Sequence, residues 1–181
     1  MTIEAASNVT WLSRAMAVLT TIGMIVVPAA LIFVFLFPER GAVFNLNVDN
    51  LGADLSSATP LAWRLAALIC ALITEGFTLW ALWSLRRMLL LYVKGEVFSQ
   101  RTFTLLNTVA VALFAGVVVG FVMRAPISLL LSWPLGGGHR HISLSFGSND
   151  AITLFEAGVL LVIARVMREA GRLADENAKF V

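Results

Sequence analysis

The chain has 181 residues, of which 59% are hydrophobic and 13% charged, and its mean hydropathy is +0.88. So little polar surface excludes a water-soluble domain of this size, so the sequence reads as an integral membrane protein embedded in a lipid bilayer. The 13 Lys and Arg against 11 Asp and Glu leave a formal net charge of +2; the cations cluster beside apolar runs, where phospholipid headgroups lie, and give no case for nucleic-acid binding.

Met1 to Arg14 is polar and carries Glu4. The apolar run that follows, approximately 15–37, is longer than a signal-peptide core and is not followed by a clear small-x-small cleavage site, so it reads as a retained span. In the next loop, "AVFNLNVDN", Val43 or Phe44, Leu46 and Val48 alternate with polar residues, the period of a short strand. A second span is expected over 61–85, and its apolar pattern continues past Arg86 and Arg87 through Met88–Val93. One helix therefore covers both, with Gly95 suited to its C-terminal cap.

The helix restarts at once. Ser99 is a good N-cap, and Phe98 at N′ with Phe103 at N4 has the spacing of a hydrophobic staple. The third helix is thus expected to begin at Gln100, ahead of a span over 105–123. Its outer loop, "HRHISLSFGS", again alternates at Ile142, Leu144 and Phe146. Either the two outward loops pair into a small β-sheet, since one strand cannot satisfy its own backbone, or both are irregular. A fourth span over 151–167 contains Glu156 and requires Arg165 to snorkel; the competing reading is three spans and a re-entrant last segment. From 168 to 181, Ala170, Leu173, Ala174 and Phe180 continue at roughly helical spacing from Met167, with Arg172–Glu176 and Asp175–Lys179 as i, i+4 pairs. This extension is expected to lie beside 86–93 as a small helical platform.

Cation placement orients the chain. Arg14, Arg86, Arg87, Lys94, Arg101, Arg165, Arg168, Arg172 and Lys179 fall on one side, and Arg40, Arg64, Arg124 and Arg140 on the other. The rule that cytoplasmic loops are enriched in Lys and Arg puts both termini in the cytoplasm. The expected fold is an all-α integral membrane protein: one domain over 1–181, a four-transmembrane-helix bundle, with the sheet as an outward cap if it forms.

The two halves share a pattern of span, outward strand-like loop, span and basic segment. Sliding one over the other aligns Glu75 with Glu156 and Arg87 with Arg168, a weak repeat. Each glutamate precedes its arginine by twelve residues, which at ~1.5 Å per residue is ~18 Å into the membrane. An ionisable residue at such depth normally faces other helices or a wet cavity. Glu75 and Glu156 are therefore either a proton or cation site, or neutral acids hydrogen-bonded between helices.

Other chemistry has little support. The single cysteine, Cys70, allows no internal disulfide and no dithiol couple. His139 and His141 are spaced to point the same way on a strand, but a metal site needs a third ligand, and spacing does not choose among Asp49, Asp54 and Asp150. HExxH, GxSxG, Walker A and CxxC signatures are missing, so no enzyme activity, cofactor or metal is expected.

The stretches "YVKGEVFSQRT" and "EAGRLADENAKFV" resemble, in order and position, the two cytoplasmic elements of a bacterial four-span membrane family catalogued as domain of unknown function 2975. The chain departs from that family at Thr102 or Phe103, where an asparagine is usual, and in its tail acid pair, present here as Asp175 and Glu176. The resemblance implies a small membrane protein, and its similarity to proteins encoded beside short helix-turn-helix regulators implies a cytoplasmic protein partner. Lys94, Gly95, Glu96, Phe98, Ser99, Arg172, Asp175, Glu176 and Asn177 are then the candidate partner-binding residues. The alternative is a small proton- or cation-coupled transporter using Glu75 and Glu156, as a homo-oligomer because four helices enclose little pathway.

Overall fold

In a computed structural model of the chain, the described residues are 3–43, 55, 59–96, 99–135, 142, 144 and 146–178, with side chains described only from 10 to 40 and up to 172 at the two ends. They are helical wherever they are regular: α1 (Ile3–Leu36), α2 (Pro38–Val43), α3 (Leu61–Val93), α4 (Gln100–Ser132), a 3-10 turn (Trp133–Leu135) and α5 (Ser148–Ala178). Two compact units share these helices. One takes Met1–Met24, Leu79–Phe114 and Thr153–Val181; the other takes Ile25–Thr78 and Ala115–Ile152.

Helix boundaries follow local chemistry. Pro38 opens α2 at the first helical position, where its missing N–H costs nothing, and Glu39 sits in the same turn, favoured by the positive end of the helix dipole. The C-terminal carbonyls of α1 are met from another helix: Arg64 Nη1 donates to the carbonyls of Phe35 at 3.4 Å and Leu36 at 3.3 Å. Asp150 caps α5, its carboxylate accepting the Gly147 N–H at 2.8 Å, while the Gly147 carbonyl accepts from the amides of Asp150 and Ala151.

The packing is inverted relative to a soluble helical protein. Many residues at the helix contacts are small, such as Ala67, Ala110, Ala112, Ala157 and Ala164, all 0% exposed, whereas Ile25 is 67%, Ile69 62% and Phe155 73% exposed. Water would penalise such a surface, but lipid does not, and small side chains let helix backbones approach closely. In one unit, Phe35, Ala67, Leu68, Ala71, Ile127 and Leu131 form the core. In the other, Ala81, Val109 and Ala112 do so, with Leu85, Leu113 and Leu160 against them. α4 also carries Gly116 and Gly120 four residues apart, where an added Cβ would lie 3.3 Å from Phe77 Cβ and 3.1 Å from Thr74 Cγ2. This small-xxx-small stripe seats α4 closely on α3.

Among the described residues, three helices, Thr10–Leu36 of α1, α3 and α4, are long and apolar enough to cross a membrane. α5 is one more long helix that does not meet that measure. Either 18-residue stretch containing the expected 151–167 span holds Glu156 and Arg165 together with Asp150 or Arg168.

The third helix extends past the expected 105–123 span to Ser132, through Arg124 and Pro126. Its charge is matched by a bidentate pair to Asp150, Nη1 to Oδ2 and Nη2 to Oδ1 both at 2.7 Å. Among the described residues there is no strand: Ile142, Leu144 and Phe146 are exposed and irregular, and Phe146 meets Phe121 edge-on at 6.3 Å. The partner strand expected around 43–48 lies outside the described residues except for the backbone of Val43, which is helical.

Candidate functional site: the α3–α4 hairpin

The hairpin between α3 and α4 is fixed at both ends. Gly95 has φ +84°, a left-handed conformation that costs a residue with a Cβ. Around it the Glu96 amide donates to the Leu91 carbonyl and the Gly95 amide to the Tyr92 carbonyl, both at 3.0 Å, the two bonds of a Schellman cap. Ser99 then caps α4, its Oγ accepting the Thr102 N–H at 3.2 Å and its carbonyl accepting the Phe103 N–H at 3.2 Å. The buried Thr102 hydroxyl donates to the Glu96 carbonyl at 2.9 Å and so ties the new helix to the end of the old one.

Behind the turn lies α5. Phe103 is 3% exposed, and a Cβ added at Gly171 would come within 2.9 Å of its ring atom Cε2. Gly171 thus provides the space in which the ring lies. This contact links the "YVKGEVFSQRTF" and "EAGRLADEN" segments of the sequence, and it involves the first turn of α4; the sequence reading placed the C-terminal extension beside Met88–Val93. Nearby, Arg86 Nε donates to Thr21 Oγ1 of α1 at 2.9 Å, and Arg87 lies 4.7 Å over the Trp83 ring.

Of the candidate partner-binding residues, Lys94, Gly95 and Glu96 form the exposed turn and Ser99 is its half-buried cap. Phe98, and with it the expected staple, lies outside the described residues. Arg172 is exposed and pairs one turn back with Glu169, at 2.5 Å and 3.3 Å, which holds that carboxyl below its usual range through the hydrogen bond and the charge. The side chains of Asp175, Glu176 and Asn177, and the expected pairs to Glu176 and Lys179, lie outside the described residues. His139 and His141 do too.

The two glutamates fall in different units. Glu75 is half-buried, and its Oε1 and the hydroxyl of neighbouring Thr74 are buried without a hydrogen-bond partner. Glu156 is exposed. Sequence reasoning missed three contacts: the Gly116–Gly120 stripe, legible as GVVVG; the Phe103–Gly171 contact, which leaves no local signal; and the Arg124–Asp150 pair, whose members stand 26 apart in sequence.

These features define a helical membrane protein whose most closely built polar element is a hairpin joining two long apolar helices. The chain belongs to the family described as protein of unknown function (DUF2975), which matches residues 48–181. Comparison with curated proteins and with solved structures gives no match.

Proposed function

We propose that this chain is a non-enzymatic, four-span protein of the bacterial cytoplasmic membrane, with both termini cytoplasmic, and that its α3–α4 hairpin and C-terminal helix dock a cytoplasmic protein such as a helix-turn-helix regulator. One observation carries the reading. The exposed Lys94–Glu96 turn is held by a Schellman cap, an N-cap, the Thr102 tie and the Phe103–Gly171 contact, which gives a binding face a fixed shape before a partner arrives. The exposed apolar residues of α5, including Phe155, Val162 and Val166, favour a fourth span in lipid, with the charged ends supplied by Asp150 and Arg168.

The test combines crosslinking from intact membranes with two variants. Deleting 174–181 is expected to abolish both capture of the cytoplasmic partner and the phenotype, while Glu75→Gln leaves both unchanged. A phenotype lost with Glu75→Gln and retained by the deletion defeats the docking reading.

The second reading is a proton- or cation-coupled transporter, favoured by the unpartnered Glu75 carboxyl oxygen and Thr74 hydroxyl inside a candidate span. It calls for pH-dependent flux in proteoliposomes that Glu75→Gln removes; no flux above empty vesicles counts against it.

A further inference from the structure

Beside the turn, the last turns of α3 and the first turns of α4 enclose a groove of about 750 Å³. Its walls carry three cations, Arg87, Lys94 and Arg101, over the apolar side chains of Leu90, Leu91 and Leu105, and among the described residues no acidic side chain lines it. Arg87 and Leu90 belong to a helix apolar enough to cross the membrane, Arg101 and Leu105 to the next one. The groove therefore lies at the hairpin ends of two such helices, where headgroups would meet acyl chains with both helices crossing a bilayer. Trp83, 44% exposed, stacks under the Arg87 guanidinium and suits the same interfacial depth.

We infer that this groove is a binding site for an anionic glycerophospholipid, its phosphate held by Arg87, Lys94 and Arg101 and the start of its acyl chains laid over Leu90, Leu91 and Leu105. Two features of the groove select this occupant. Three cations with no carboxylate among the described lining residues match a phosphodiester, and a leucine floor continuous with two helices apolar enough to span a membrane matches a ligand with an apolar body. A free phosphate would use only the first, and a zwitterionic lipid would gain less from the cations. The inference stands apart from the docking reading, although Lys94 belongs to both surfaces. Arg87 and Arg101 belong to the groove alone, and a lipid held there would present its headgroup beside the exposed turn.

Native mass spectrometry of the detergent-solubilised full chain, titrated with phosphatidylglycerol and separately with phosphatidylcholine, tests this. Phosphatidylglycerol is expected to give a saturable one-to-one adduct at least tenfold tighter than phosphatidylcholine. Each cation removed should weaken it about fivefold, so Arg87→Gln with Arg101→Gln loses about 25-fold. Arg87→Lys with Arg101→Lys should retain most of the binding, and Arg165→Gln with Arg168→Gln on α5 should leave it unchanged, which separates a lost site from a misfolded protein and from general surface charge. Equal binding of the two lipids, equal loss in the α5 control, or displacement by glycerol 3-phosphate at the same concentration as the lipid overturns the inference. Partner capture that persists in Arg87→Gln with Arg101→Gln would leave docking intact while the lipid site is judged on its own.

Discussion

At the residue scale the largely buried Arg124–Asp150 pair is the sharpest electrostatic commitment among the described residues, its side chains 8% and 14% exposed. Asp150 lies below the ordinary aspartate value of 3.8, chiefly through its hydrogen bond from Arg124, with burial opposing and the Gly147 amide and the arginine charge assisting. A carboxyl lowered on folding contributes stability that is complete above its unfolded value and is lost as pH falls through its folded one. Thermal melts in detergent should therefore show a loss below about pH 4, absent in Asp150→Asn. That variant leaves the guanidinium buried without its carboxylate and should cost about 3–5 kcal/mol near neutral pH, whereas replacing both members with apolar residues should recover most of it. Gly171 makes a steric commitment: Gly171→Ala forces a methyl onto the buried Phe103 ring and should cost about 1–3 kcal/mol. Adding Phe103→Leu should relieve part of that loss; additive losses in the double variant would show that the contact is not the cause.

At the element scale, what was legible in the sequence is what local chemistry decides. Gly95 ends α3 and Ser99 starts α4 where the capping residues indicated, because caps act over three or four residues. α4 carries Arg124 within the helix, beyond the expected 105–123 span, and that charge is met by Asp150, a partner distant in sequence that no local pattern reveals. The alternation around 142–146 has the period of a strand, but a strand needs a neighbour, and the described residues provide none. The C-terminal helix was expected from its spacing, yet its seat on Phe103 depends on the absence of a side chain at Gly171, which no periodicity reveals. Helix termination at the hairpin has its own test: Gly95→Ala places a Cβ at φ +84° and should cost about 1–2 kcal/mol. Gly95→Asn, which tolerates that backbone better, should cost less in the same melts.

At the scale of the whole molecule, many large apolar residues are exposed while alanines and serines supply much of the buried helix contacts, a distribution that suits lipid as the surrounding solvent. Membrane character and the family were both legible, the first from composition and the second from two short motifs that the 48–181 match contains. The role of the glutamates was less so, because depth along a helix does not give the direction a side chain faces: Glu75 is half-buried and Glu156 exposed. What remains distinctive is a rigid, exposed turn at the end of two long apolar helices. Incorporation of a photo-crosslinking residue at Glu96 in intact cells, with Ile25 as a control on an exposed apolar surface, tests that turn most directly. A discrete adduct with one cytoplasmic protein at position 96, missing at position 25 and lost on deletion of 174–181, is the expected result; adducts at position 96 no different from those at position 25 would contradict docking at the hairpin.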